Sequence, residues 1–412
     1  MDQATNDKRF RFIPFRKHDI LEMCLQEGTL SGQEEDFRML YRMLDNTFHF
    51  EFHQTLETLK DGYAPIDPDA ATKCYDPPNK SRRKTDFFEL LQYLLEKGNY
   101  ERVTKEELDL ALQESALFKI RLQVDLNDYS EVLLFYRGVS MRQEKAPVLM
   151  GLLSKTISFI NYDRVVMYIR FKDDYAPSHA TLPSCRSGAT LLKLFQNVPK
   201  SDIEMLFPNT RVSMRLIDKL LIGVPAVISG GIVLTTKLGT SLVLLGSLVG
   251  FWIGLHSEPV ELNNTTLAAL GAGLIALGGY LLKQFNNFKN RKLRFMQPLT
   301  QNLYFKNLDN NAGVFYRIAN DAEEEECKEA LLAYYFLLTS DHPMKRLPLD
   351  KKIEQWLETH WDTPVDFEID DALEKLTRLG IVTEKDGCFS ALPIKEALKK
   401  LDLRWDAFFT FE

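Results

Sequence analysis

The feature that most constrains this chain is an apolar block between residues 220 and 282. Three stretches, Leu220–Thr236, Leu238–Leu255 and Thr265–Leu282, run for 17, 18 and 18 residues without one acid or base. At ~1.5 Å per helical residue they fall at the short end of what crosses roughly 30 Å of hydrocarbon. A buried core helix seldom lacks charge for so long, and three in succession are hard to cover inside one globular core. The block is therefore expected to lie in a membrane. The mean hydropathy of −0.21 conceals it, because the rest of the chain is polar.

Flanking charge sets the expected crossings. Arg211, Arg215 and Lys219 precede the block, and Lys289, Arg291, Lys292 and Arg294 follow it. Basic flanks stay on the side of synthesis, so both ends are expected there and the number of crossings is even. Residues 238–255 and 265–282 read as a transmembrane helical hairpin. The stretch 220–236, broken by Pro225 and Gly230-Gly231, reads as an interfacial segment, with three full spans as the alternative. The seven flanking bases are expected to face anionic lipid. Gly271, Gly273, Gly278 and Gly279, interleaved with alanines, would let the last span pack closely on the other or on a second copy.

Away from the block the composition is globular: 412 residues, 45% hydrophobic and 26% charged, enough for two or three domains. Fifty-one bases against 58 acids give −7, too mild to point at nucleic acid. The five cysteines (24, 74, 185, 327, 388) form no CxxC, which argues against a disulfide scaffold or a zinc knuckle and for a reducing compartment. The first 25 residues scatter acids among bases, unlike a secretory or organelle-import signal.

Residues 31–61 predict one long helix, with Ser31 and Glu34 at capping-box spacing and Phe37, Leu40, Leu44, Phe48, Phe52, Leu56 and Leu59 forming a stripe. A second helix is expected from Thr85 to Leu94, and a second capping box at Thr104 and Glu107. Period-two alternation from Lys119 to Leu126 predicts a strand, followed by EVLLFYRG, KTISFI (155–160) and RVVMYIRF (164–171), with Asn161–Asp163 as a tight connection. Short helices are expected around Pro199 and Pro208. This is an α+β domain over 1–215: helices plus an antiparallel sheet.

After the membrane block (216–285) comes a linker and helix (286–340). Its AEEEECKEALLAYYFLL places acids in the expected first helical turn, where the helix dipole favours them. Residues 341–412 read as helix, helix, hairpin at Asp386-Gly387, helix from Pro393: a winged-helix-like domain. Residues 321–412 hold 22 acids against 12 bases, a net of −10, while the remainder is net +3. Its candidate recognition helix offers Lys375 and Arg378 amid Glu368, Asp370, Asp371 and Glu374. Such a surface repels phosphates, so no nucleic acid is expected and the natural contact is protein. Intramolecular docking of this acidic domain on the N-terminal one is the simplest case, and a membrane-tethered DNA-binding regulator is the alternative.

One spacing has chemical interest. Asp45, His49, His53, Glu57 and Asp61 step by four along the long helix, and His49 with His53 could share a divalent metal. The same spacing serves a flank of i,i+4 ion pairs. Glu51 does not complete HExxH, and there is no GxGxxG, GxxxxGK[ST] or GxSxG. No organic cofactor and no catalytic residue is expected.

The phrases RFIPFRKHDI, FHFEFHQTLETLKDGYAPIDPD, YDRVVMYIRFKD, KLFQNVPKSDIEMLFP, LYFKNLDNNAGVFYR and AEEEECKEALLAYYFLL resemble one family. It is that of transmembrane protein 143 and its bacterial and plant relatives, which share a domain of unknown function numbered 3754. The resemblance runs from about residue 10 to 340. It implies an integral membrane protein, mitochondrial in animals, without an established activity, and carries over no catalytic residue. The start of the chain favours a multi-pass protein of the bacterial inner membrane over a mitochondrial one. The expected function is a membrane-anchored, non-enzymatic interaction or scaffold protein; the rival is a metal-dependent membrane enzyme using His49 and His53.

Overall fold

The computed structural model describes residues 9–68, 73, 87–104, 106–108, 121–148, 153–175, 187–213, 239–255, scattered positions from 263 to 286, and 304–408. Two compact units result. The larger joins residues 1–113, 125–203 and 306–412; the smaller joins 114–124 and 204–305.

The larger unit is built on helices α1 (Lys17–Gln26), α2 (Glu34–Tyr63) and α3 (Phe87–Lys97), and on a five-stranded antiparallel sheet. Every position of the predicted α2 stripe is buried, from Phe37 through Leu59. Its start differs from expectation: Gln33 is the N-cap and the Ser31 hydroxyl donates to the Gly28 carbonyl, so the Ser31/Glu34 capping box does not form. α3 extends to Lys97, beyond the predicted Leu94. The Thr104/Glu107 box does form, with Thr104 N–H donating to Glu107 (3.0 Å) and Glu107 N–H to Thr104 (3.2 Å).

The sheet contains β1 (Glu101–Arg102), β3 (Tyr129–Val148), β4 (Leu153–Phe171), β5 (Thr190–Pro199) and β7 (Asn307–Asn310), in the order β1-β3-β4-β5-β7. The expected break at Asn161–Asp163 is absent, because β4 runs straight through it. Asn161 is buried and donates to Ser140 and to a backbone carbonyl, while Asp163 accepts from Ser140. Opposite lies Gly138 at φ +74°, where a Cβ would stand 2.5 Å from an Asp163 oxygen. The β3–β4 register is kept across this point, with Arg137 opposite Arg164 and Val139 opposite Tyr162, and the glycine accommodates Asp163 without a side chain of its own. The short helices expected near Pro199 are corrected too: TLLKLFQNVP is strand β5, paired along β4, and only Lys200–Leu206 coils, as a 3₁₀ turn.

A 27-residue helix, α5 (Ala312–Leu338), lies at the centre of this unit's core and contacts α1, α2 and α3. The acids of its EEEE run sit mid-helix and not in its first turn, because β7 hands the chain to the helix at Ala312. Helices α6 (Arg346–Trp361), α7 (Ile369–Arg378) and α8 (Ile394–Asp406) complete the unit with β8 (Met344–Lys345) and the hairpin of β9 (Val382–Lys385) and β10 (Cys388–Ala391). The small sheet has the order β8-β10-β9, and the hairpin turns on Asp386 and Gly387, both at positive φ. The element order is β8-α6-α7-β9-β10-α8, and β10 pairs antiparallel with both β8 and β9.

In the smaller unit, β2 (Arg121–Gln123) pairs with β6 (Arg211–Ser213), and α4 spans Gly239–Trp252. Here the membrane reading is overturned. Among the described residues no helix is long and apolar enough to cross a membrane. Of the expected hairpin, 238–255 yields a helix of 14 residues, about 21 Å at ~1.5 Å per residue against roughly 30 Å of hydrocarbon. Gly254, at φ +79°, follows it. The described positions of 265–282 are helical but form no spanning helix, and 220–236 lies outside the described residues. The transmembrane hairpin, the integral membrane function and the multi-pass inner-membrane placement are therefore corrected.

Candidate functional site: the charged faces of the central helix

Helix α5 carries Asp321, Glu323, Glu324, Glu325, Glu326, Lys328 and Glu329, and all but Glu323 and Glu324 are buried. Leaving such groups unpaired in a core would cost several kcal/mol each, so the surrounding elements must supply counter-charges. They do so on three faces.

On the first face, Arg137 of β3 and Arg164 of β4 are cross-strand partners. Two like charges so placed repel, and α5 neutralises them. Arg137 pairs with Asp321 (3.2 Å) and Glu325 (2.5 Å), and Arg164 with Asp321. The Tyr100 hydroxyl donates to Asp321 at 2.7 Å, and burial together with that carboxylate pushes the phenol up. Glu325, 0% exposed, also accepts from Lys328 (2.7 Å) and the Ile13 N–H (3.1 Å). Lys328 in turn donates to the carbonyls of Ile13 (2.6 Å) and Phe15 (3.1 Å), tying the N-terminal strap to the helix. The Arg137 guanidinium stacks 4.6 Å from the Phe12 ring.

The second face points at α3 and α7. Lys375 of α7 reaches Glu326 (2.7 Å), Glu329 (2.8 Å) and Asp371 (3.7 Å), while Lys97 of α3 reaches Asp371 (2.6 Å) and Glu326 (3.5 Å). Asn99 donates to Glu329 at 3.2 Å. Burial pushes the Glu329 carboxyl up to about 7 against the pull of Lys375, with Glu326 and Glu325 adding to the rise. Burial pulls the Lys375 ammonium down, but the carboxylates of Glu329, Glu326 and Asp371 outweigh it and raise it. Burial likewise pushes Asp371 up, yet Lys375 and Lys97 hold it below its usual range. A cleft of about 210 Å³ opens beside these groups, lined also by Glu51, Tyr93 and Arg378.

The third face meets α1 and α2. Lys17 pairs with Asp45 (2.5 Å) and Glu323 (2.8 Å), and its N–H donates to Glu324 (3.1 Å). His49 Nδ1 lies 2.8 Å from Glu323. Of the two histidines singled out for metal, His49 thus engages a carboxylate on another helix, and His53 is exposed. No group of three or more His, Cys, Asp or Glu able to hold a metal ion occurs among the described residues. Arg211 opens β6; Arg215, Lys219, Lys289, Arg291, Lys292 and Arg294 lie outside the described residues.

The sequence reading missed the acids of α5 as a site. A usable signal was there: EEEE is followed directly by CKEALLAYYFLL, so a helix of this pattern must bury some of its charges. The bases that other elements bring, from Lys375 to Lys17, lie 46 to 306 residues from the acids they bond and carry no local signature.

Fold and site together define a mixed α/β unit whose N-terminal strap, sheet and C-terminal helices converge on one charged helix. Residues 162–313 match a family described as a protein of unknown function (DUF3754). That match reaches from β4 to the first residues of α5; it includes Arg164 but none of the buried acids of α5. It supports the domain and not the wider relationship to transmembrane protein 143. No solved structure matches the chain.

Proposed function

We propose that the larger unit is a protein-interaction module whose C-terminal segment, β8 to α8, docks and undocks on α5. One observation carries this reading: Lys375, a buried base of α7, is held between Glu326 and Glu329 of α5. Buried ion pairs contribute little net stability but penalise any arrangement that strands one partner, so they suit a contact that must be specific. The lesser contacts agree: Arg378 of α7 pairs with Glu51 of α2, and Arg9 of the strap with Glu354 of α6.

The same pairs argue against a duplex as the partner. Both bases of α7 are spent on α5 and α2, while Asp370 and Glu374 are exposed. Phosphate contacts need free bases.

Hydrogen exchange on the full chain tests the docking. Lys375→Met should raise the opening of 369–378 by tenfold or more while peptides of β4 and β5 keep their protection. Unchanged protection of α7 would overturn the proposal. A gel shift of the full chain with random duplex DNA at low salt should show no complex, and tight, salt-sensitive binding would overturn protein contact as its purpose.

A further inference from the structure

The second face of α5 has an imbalance that distances alone reveal. Three carboxylates, Glu326, Glu329 and Asp371, share two ammonium groups, Lys97 and Lys375. The other charges nearby are committed elsewhere or lie at the surface. On α5, Glu325 and Lys328 turn to Arg137 and the strap carbonyls. On α7, Arg378 is taken by Glu51, Glu368 faces Arg11, and Glu374 is exposed. With every group ionised the cluster, buried at Glu326, Glu329 and Lys375 and half-buried at Lys97 and Asp371, holds one uncompensated negative charge, and a single proton balances it.

We infer that docking of the C-terminal segment takes up one proton at Glu329, so that the contact tightens in mildly acid solution and loosens in mildly alkaline solution. The inference rests on the docking reading above. Glu329 is the site because its partners are one shared ammonium and the Asn99 amide, whereas Asp371 has the nearer Lys97 and Glu326 touches both bases. The amide suits either state. Its NH₂ donates to the carboxylate, and, turned end for end, its carbonyl accepts from the neutral acid. Burial holds the Glu329 carboxyl at about 7, which places the change near neutrality. When α7 swings away, Glu329 meets water and ionises over its ordinary range. The docked form therefore binds the extra proton between about pH 4.5 and 7, and its advantage is lost as pH rises through 7.

Hydrogen exchange of 369–378 in the full chain, corrected for the intrinsic pH dependence of amide exchange, reads this directly. Between pH 6 and pH 8 the opening constant of wild type should rise about tenfold, the factor linkage assigns to one proton released near pH 7. Glu329→Gln, neutral at both pH values, should remove the rise. Glu326→Gln balances the cluster from the other carboxylate and should also flatten it, so a Glu329 variant that fails to fold leaves the test intact. A flat wild-type profile, or the same tenfold rise in either variant, overturns the proton step. If Lys375→Met loosens α7 while wild type stays flat, only the proton step fails. If Lys375→Met leaves α7 unchanged, the docking reading fails with it.

Discussion

Helices α4 and α5 invert the usual relation between composition and burial. α4, GTSLVLLGSLVGFW, has no charged residue, yet Val243, Val249, Phe251 and Trp252 are exposed, Trp252 at 86%. α5 carries six acids between positions 321 and 329, and four of them are buried with Lys328. Hydropathy measures what a side chain gains by leaving water; burial depends on whether the fold brings a suitable partner. Arg137, Arg164, Lys97 and Lys375 bring one to α5. An apolar helix of 14 residues has a driving force for burial but no means to specify its neighbour.

The contrast breaks most sharply at Arg137. Arg137→Met removes a buried counter-charge from both Asp321 and Glu325, leaving them Arg164, Tyr100 and Lys328, and should cost about 3–5 kcal/mol in urea unfolding. A loss below 1 kcal/mol would mean that the α5 acids are not held by the sheet. The second largest effect compares two tryptophans. Trp356 of α6 is buried and donates to Glu27 at 2.8 Å, so Trp356→Ala should cost about 3 kcal/mol. Equal stabilities for Trp356→Ala and Trp252→Ala would erase the distinction between the two regions.

A charge effect of intermediate size comes from Asp350 of α6, whose carboxyl is pushed up to about 6 by burial and then by Glu354, Asp366 and Asp370, against Arg9. Its folded value lies above its unfolded one. Its contribution is therefore fully present below about pH 4 and lost as pH rises through 6. Asp350→Asn should flatten the fall in urea midpoint across that window, and an unchanged slope would assign the fall to another group. The smallest effect is expected from Trp252→Ala itself, within about 0.5 kcal/mol of wild type, as for other exposed positions.

Where neighbours in sequence are neighbours in space, the structure was legible in advance. The α2 stripe, the Thr104/Glu107 box, the Asp386-Gly387 hairpin and the burial of Ile369, Ala372, Leu373 and Leu376 on α7 all follow from periods and turn chemistry. Local rules misled at Asn161–Asp163, where turn-forming residues sit inside a strand because Gly138 across the ladder makes room for them. They misled again at the apolar block, where a charge-free run said nothing about where the helix would end.

By itself the sequence determined periodicity, punctuation and the existence of a charged run at 321–329. These depend on bond geometry and on side chains within one or two turns of each other. Only the tertiary structure decided that residues 306–412 join 1–113 and 125–203 in one unit, and that four of the six acids of α5 are buried. It alone brought Lys17, Lys97, Arg137, Arg164 and Lys375 to them. The physical reason is that a charge enters a core only where its counter-charge arrives with it, and those counter-charges come from α1, α3, two strands and α7. Composition counts such partners; only the completed packing pairs them.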